Sequence, residues 1–138
     1  MRRTILIASC VIFIGLEGCV ATPYDLTGDA APLEIRSVQT RDYDALDKPM
    51  TMRAVIATLQ DLGFTIDQAD MGLGIVTATR LQVSDMRMTV TVAAKAEERV
   101  SVRANARVGE DSITNAETYQ DFFVALDKAM FLVRNNVN

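Results

Sequence analysis

The sequence predicts an α+β fold: a two-layer sandwich in which an antiparallel meander of four to five strands carries two amphipathic helices on one face, in the order β-α-β-β-β-β-α. Three observations point there. Apolar residues recur at helical spacing over 47–62 and over 116–134; they alternate with polar residues over 86–95 and 99–108; and short turn-forming stretches separate the segments. Elements with one apolar side must bury it, and laying both helices on one sheet face buries all of it.

In chain order, Leu33 to Tyr43 carries Ile35 and Val38 among polar residues and reads as an edge strand, its Arg36 and Arg41 solvated. Asp47 can cap the helix that follows, Pro49 sits in its first turn, and Met52, Val55, Ile56, Leu59 and Leu62 form its stripe. Gly63 then takes the left-handed position of a Schellman ending, with Phe64 folding back onto Leu59. Phe64 and Ile66 begin a short strand that stops at Asp70-Met71-Gly72. Leu73 to Val83, rich in β-branched residues, is the next.

Two further strands alternate cleanly. Met86, Met88, Val90, Val92 and Ala94 share one face, and so do Val100, Val102, Ala104, Ala106 and Val108. A two-residue turn at Ser84-Asp85 would set Val83 opposite Met86 and Leu81 opposite Met88. A three-residue turn at 96–98 would set Lys95 opposite Arg99 and Val92 opposite Val102. Gly109 to Asn115 reads as a polar loop. The last helix, about Ala116 to Arg134, has Asn115 as cap and a stripe of Tyr119, Phe122, Phe123, Leu126, Met130 and Val133.

The N-terminus has the parts of an export signal: Arg2 and Arg3, an apolar run from Ile5 to Leu16, and small residues at Gly18 and Ala21. The run is shorter than the roughly 20 residues that span a bilayer. Leu16, Gly18 and Cys19 resemble the lipobox of bacterial lipoproteins, although Glu17 stands where a small or hydroxylated residue is usual. That resemblance implies cleavage before Cys19, with acylation of its sulfur and of its new amino group. The other cleavage, after Ala21, would release a soluble periplasmic or secreted protein. The domain plan is therefore a signal peptide at 1–18, a lipidated cysteine with a flexible tether at 19–32, and one α/β domain at 33–138. At about 3.3 Å per residue, the tether could hold the domain about 40 Å from the leaflet. Several acyl chains anchor stably where one binds reversibly. By the same resemblance Val20 replaces the aspartate that retains such proteins in the inner membrane, which points to the periplasmic side of the outer membrane.

Composition narrows the functions. The 138-residue chain has net charge −4 and no histidine. An acidic chain lacks the overall basic character expected of a nucleic-acid binder. Without histidine, triads built on a His base are excluded. Of the two cysteines, Cys10 lies in the signal and Cys19 at its end, so the mature domain has no disulfide available. No catalytic motif, cofactor site or metal site is legible. Met52, Met86 and Met88 fall at core positions rather than in a copper cluster, leaving Met50 and Met71 near element ends. The acidic groups Asp42, Asp44, Asp47 and Glu110, Asp111 lack the spacing of a calcium loop.

The outward positions of the predicted meander collect Arg80, Arg87, Lys95, Arg99, Arg103 and Arg107. A solvated face is the ordinary explanation, since long side chains cover β-branched neighbours. The register, however, puts Arg107 opposite Arg87, and opposed like charges destabilise a sheet unless something neutralises them. Arg87, Arg99, Arg103 and Arg107 are therefore the candidate partner-binding residues, for an acidic protein, a phosphorylated headgroup or an anionic glycan.

The segment Arg53-Ala54-Val55-Ile56-Ala57-Thr58-Leu59-Gln60-Asp61-Leu62-Gly63-Phe64-Thr65-Ile66-Asp67, followed by Leu73 to Arg80, resembles a stretch of small bacterial outer-membrane lipoproteins that carry an LQDLGF-containing α/β domain. The resemblance implies lipidation and the fold and brings no activity. The expectation is a non-enzymatic lipoprotein held to the membrane by its N-terminal lipid, acting as an accessory or assembly component of an envelope complex through a protein partner. The alternative is a lipid or glycolipid binding module with an apolar cavity between helices and sheet. Oligomeric state is not legible.

Overall fold

The structure, a computed structural model, describes residues 30–44, 47–81, 85–95 and 99–135. The signal segment, Cys19, the expected tether up to residue 29, Val83 and the 96–98 turn lie outside the described residues. The chain runs α1 (Ala30–Val38), β1 (Thr40–Asp44), α2 (Lys48–Asp61), β2 (Thr65–Asp70), β3 (Ile75–Arg80), β4 (Met86–Lys95), β5 (Arg99–Val108), β6 (Asp111–Ser112) and α3 (Ala116–Arg134). The sheet is antiparallel at every pairing and ordered β1-β5-β4-β3-β2, with β6 added to β5. This is the expected mixed α+β sandwich.

Local signals place α2 and α3. Asp47 accepts from the Met50 N–H at 2.7 Å, and Pro49 lies in the first turn, where its missing donor is not needed. At the other end Phe64 N–H donates to Leu59 O (2.9 Å) and Gly63 N–H to Gln60 O (3.0 Å), while Gly63 has φ +80°. These are the two bonds of a Schellman motif, and they turn the helix directly into β2. Asn115 caps α3 by accepting from Glu117 N–H at 2.9 Å. The buried side chains of α3 are Tyr119, Phe122, Phe123, Leu126 and Met130. They meet Met52, Val55 and Leu59 of α2 and the inward residues of β3 to β5 in one core. Each fully buried aliphatic or aromatic side chain contributes about 1.5–3 kcal/mol, which is what holds a domain without disulfides.

The long hairpin has the expected register, Lys95 opposite Arg99 and Val92 opposite Val102. The β3–β4 register does not. Met86 pairs with Arg80 and Met88 with Ala78, instead of Val83 and Leu81. The shift is by an odd number of residues, so it turns β3 over: Val76 and Ala78 are buried, and Leu81 is 71% exposed. The cause lies at the start of β3. Gly74, at φ +79°, accepts from Val92 N–H at 2.7 Å and donates to Asp70 O at 2.8 Å, which pins the strand before its side chains are consulted.

Two other expectations are corrected. Leu33–Val38 is helical, not strand, so the described residues contain three helices, and residues 30–32 of the expected tether belong to the first of them. Helix α1 ends at Gln39, whose N–H donates to Ile35 O at 3.1 Å, and only Thr40–Asp44 pairs with β5. The 109–115 loop contains the two-residue strand β6, entered through Gly109 at φ +57°.

Candidate functional site

On β4 and β5 the strand alternation that sends Met88, Val90, Val102, Ala104 and Ala106 inward sends Arg87, Thr89, Thr91, Arg103, Asn105 and Arg107 to the uncovered face. Arg87 stands opposite Arg107, Thr89 opposite Asn105 and Thr91 opposite Arg103. These six side chains line a shallow hollow of about 590 Å³, with Glu110 and Ser112 at one edge. A second hollow of about 330 Å³ lies beyond the Arg87–Arg107 pair, toward Leu81 and Gly109.

The face divides into two electrostatic halves. Toward the Lys95–Arg99 end of the β4–β5 ladder the cations are already matched. Lys95 Nζ lies 2.8 Å from Asp42 and Arg99 Nε 2.7 Å from Asp44, both carboxylates contributed by β1. The Lys95 hydrogen bond, helped by Ser101, holds the Asp42 carboxyl below its ordinary range, and Asp44 raises Arg99. In the other half, Arg103 and Arg107 have no carboxylate within 4.0 Å among the described residues. Arg87 has Asp67 at 4.0 Å, a long ion pair whose carboxylate oxygen also accepts from Thr79 Oγ1 at 2.6 Å. Sequence reasoning grouped Arg99 with Arg87, Arg103 and Arg107. The structure separates it, because β1 lies beside β5.

Arg80, expected on the same face, lies on the covered side as a result of the β3 register. Its guanidinium carbon sits 4.9 Å from the centre of the Phe64 ring, and an amino group approaches Met86 Sδ at 3.7 Å. Of the acidic residues, Asp42 and Asp44 are the partners just named and Asp47 is a helix cap. Met52 and Met88 are buried, Met50 and Met86 half-buried, and Met71 is 45% exposed. Cys19 lies outside the described residues.

Sequence reasoning missed two polar clusters that brace the scaffold. The buried Tyr119 hydroxyl receives Gln39 Nε2 (3.0 Å) and Ala106 N–H (3.2 Å) and donates to Ile113 O (2.6 Å). Tyr43 donates to Asp127 Oδ1 at 2.7 Å, and Arg41 pairs with Asp127 Oδ2 while covering the Phe123 ring. Burial, then the Asp127 carboxylate, pushes the Tyr43 phenol well above its ordinary range. Each joins groups more than 80 residues apart or across three elements, so no local pattern announces it.

One pocket of about 90 Å³ is lined by Leu62, Phe64, Met86, Met88 and Phe122 together with Arg80, Thr118 and Asp121, and another of about 210 Å³ lies by Ser37, Val38, Arg41, Ala116 and Gln120. Small-molecule sites run to about 300–1,000 Å³, and the core side chains around the first pocket are almost wholly enclosed. The chain matches no protein-family model and no curated protein. Among the described residues no helix is long and apolar enough to cross a membrane.

Proposed function

We propose that the chain is a non-enzymatic lipoprotein, tethered through acylated Cys19 to the periplasmic side of the outer membrane, that serves as an accessory or assembly component by docking an anionic envelope component on the basic half of its open sheet face. The observation that carries this is the contrast within one face. Lys95 and Arg99 have carboxylates supplied by the fold, whereas Arg103 and Arg107 have none within 4.0 Å among the described residues, and Arg107 directly opposes Arg87. A like-charge pair across a ladder costs a few tenths to about 1 kcal/mol, a cost that an arriving anion removes. The lipid-module alternative finds less support in the interior, where the pocket beside Phe64 and Phe122 holds about 90 Å³ against the roughly 300–1,000 Å³ of small-molecule sites. It retains a surface form, in which a headgroup is bound from outside.

Two measurements test the reading. Intact-mass analysis of the mature protein should find an N-terminal cysteine carrying lipid-sized added mass, absent in Cys19→Ala; a chain beginning after Ala21 would remove the tether. Affinity capture from crosslinked membranes should return a reproducible component that is lost when Arg87, Arg103 and Arg107 are all replaced by Gln and kept when Lys95 and Arg99 are. Indifference to both replacements would remove the face.

A further inference from the structure

We propose that the component bound on this face is a saccharide headgroup bearing two phosphate groups, presented by a glycolipid of the membrane that holds the protein; this rests on the docking reading above and names its ligand. The basic half has two cationic loci rather than one. Arg87 and Arg107 face each other across the β4–β5 ladder, and Arg103 stands four residues from Arg107 on the same strand and face, with Thr91 opposite it on one side and Thr40 on the other. At about 3.3 Å per residue, the loci are about 13 Å apart along β5. Arginine, used at all three positions, presents a planar fork of donors that matches a phosphate bidentately, which lysine cannot do.

The floor between the loci supplies the remaining chemistry. Thr89, Thr91 and Asn105 offer hydroxyl and amide groups that both donate and accept, the capacity needed for sugar hydroxyls. The hollow's 590 Å³ is within the range that small ligands fill. Glu110 borders it at the Gly109 turn, so an anionic ligand is directed along β5 toward Arg103 and not past that end.

What the hollow lacks decides between ligand classes. Protein interfaces place their energy in aromatic and large apolar anchors enclosed at the centre. Among the described residues Ala106 is the only apolar one in this lining, and the exposed Leu81 lies off to the side in the second hollow beyond the Arg87–Arg107 pair. A folded acidic protein would find charge without an anchor, whereas a phosphorylated saccharide needs none.

The test uses the full-length protein in detergent and calorimetric titration with four soluble probes: the deacylated disaccharide bisphosphate, its monophosphate, inorganic phosphate and poly-glutamate. The bisphosphate should bind about tenfold tighter than the monophosphate. Arg103→Gln and Arg107→Gln should each lower its affinity about tenfold, and Arg99→Gln should leave it within about twofold. Equal affinity for the two saccharides, or an Arg99→Gln loss as large as that of Arg103→Gln, would overturn the two-locus site. Poly-glutamate binding more tightly than the bisphosphate, and depending on Arg103, would overturn the ligand class while leaving the docking face standing. No Arg103 or Arg107 dependence for any of the four probes would take both away.

Discussion

Removing one oxygen from Tyr119 should cost this domain a large part of its stability. The ring is fully buried, and its hydroxyl ties together the α1–β1 junction through Gln39, β5 through the Ala106 N–H, and the approach to α3 through the Ile113 carbonyl. In Tyr119→Phe the aromatic packing is preserved, so the loss is confined to those three partners. The Ala106 amide is enclosed and cannot turn to water; leaving such a group unpaired costs about 1–3 kcal/mol. Gln39 is 6% exposed and loses one bond, and Ile113 is half-buried and can be partly rehydrated, together about 1 kcal/mol more. The expected total is about 2–4 kcal/mol, which for a domain of this size lowers Tm by about 10–20 °C. Urea unfolding followed by circular dichroism measures it, and the m-value should be unchanged because no surface is newly exposed in the folded state. Gln39→Leu should be milder, and the double variant should lose less than the sum of the two. A Tyr119→Phe variant within 0.5 kcal/mol of the parent would refute the claim that this hydroxyl carries the junction.

Three further outcomes follow from the geometry. A methyl group at Gly74 would lie 2.3 Å from Val92 O in a backbone with φ +79°, so Gly74→Ala should lose about 2–4 kcal/mol by thermal melting; at Gly63, where nothing lies within 4 Å, only the left-handed cost of about 1–2 kcal/mol applies. Thr58 Oγ1 is buried without a hydrogen-bond partner among the described residues, so Thr58→Val should be neutral or stabilise by up to about 1 kcal/mol in the same assay. The Tyr43 phenol is raised above its unfolded value of about 10, so its contribution is complete below pH 10 and declines as pH rises beyond it; Tyr43→Phe should reduce the alkaline loss of stability measured from pH 9 to 12.

How much of this was legible depended on the reach of each signal. The capping of α2 by Asp47 and its Gly63-Phe64 ending lie within a few residues of what they control, and α3 announced itself by a stripe of five buried residues. The β4–β5 register was legible because both strands alternate over ten residues. Ile75-Val76-Thr77-Ala78-Thr79 could not be read the same way. Either parity offers β-branched residues, and the contact that selects one, Gly74 with Val92, is made across the sheet. Helix α1 failed for a related reason: Ile35 and Val38 fit a helix as well as a strand, and packing against β1 and α3 decides. In the candidate site the cluster of arginines was visible in the alternation. Its division into a matched and an unmatched half required knowing that Asp42 and Asp44 return beside β5 after more than fifty residues.

The most direct test of docking on the open face is site-specific photocrosslinking in cells, with the reactive group placed at Asn105, in the middle of the hollow, and at Ala57, on the exposed side of α2. Docking predicts one defined adduct from Asn105, none from Ala57, and loss of the Asn105 adduct when Arg103 and Arg107 are replaced by Gln. Equal labelling from both positions, or an Asn105 adduct that survives those replacements, would contradict it.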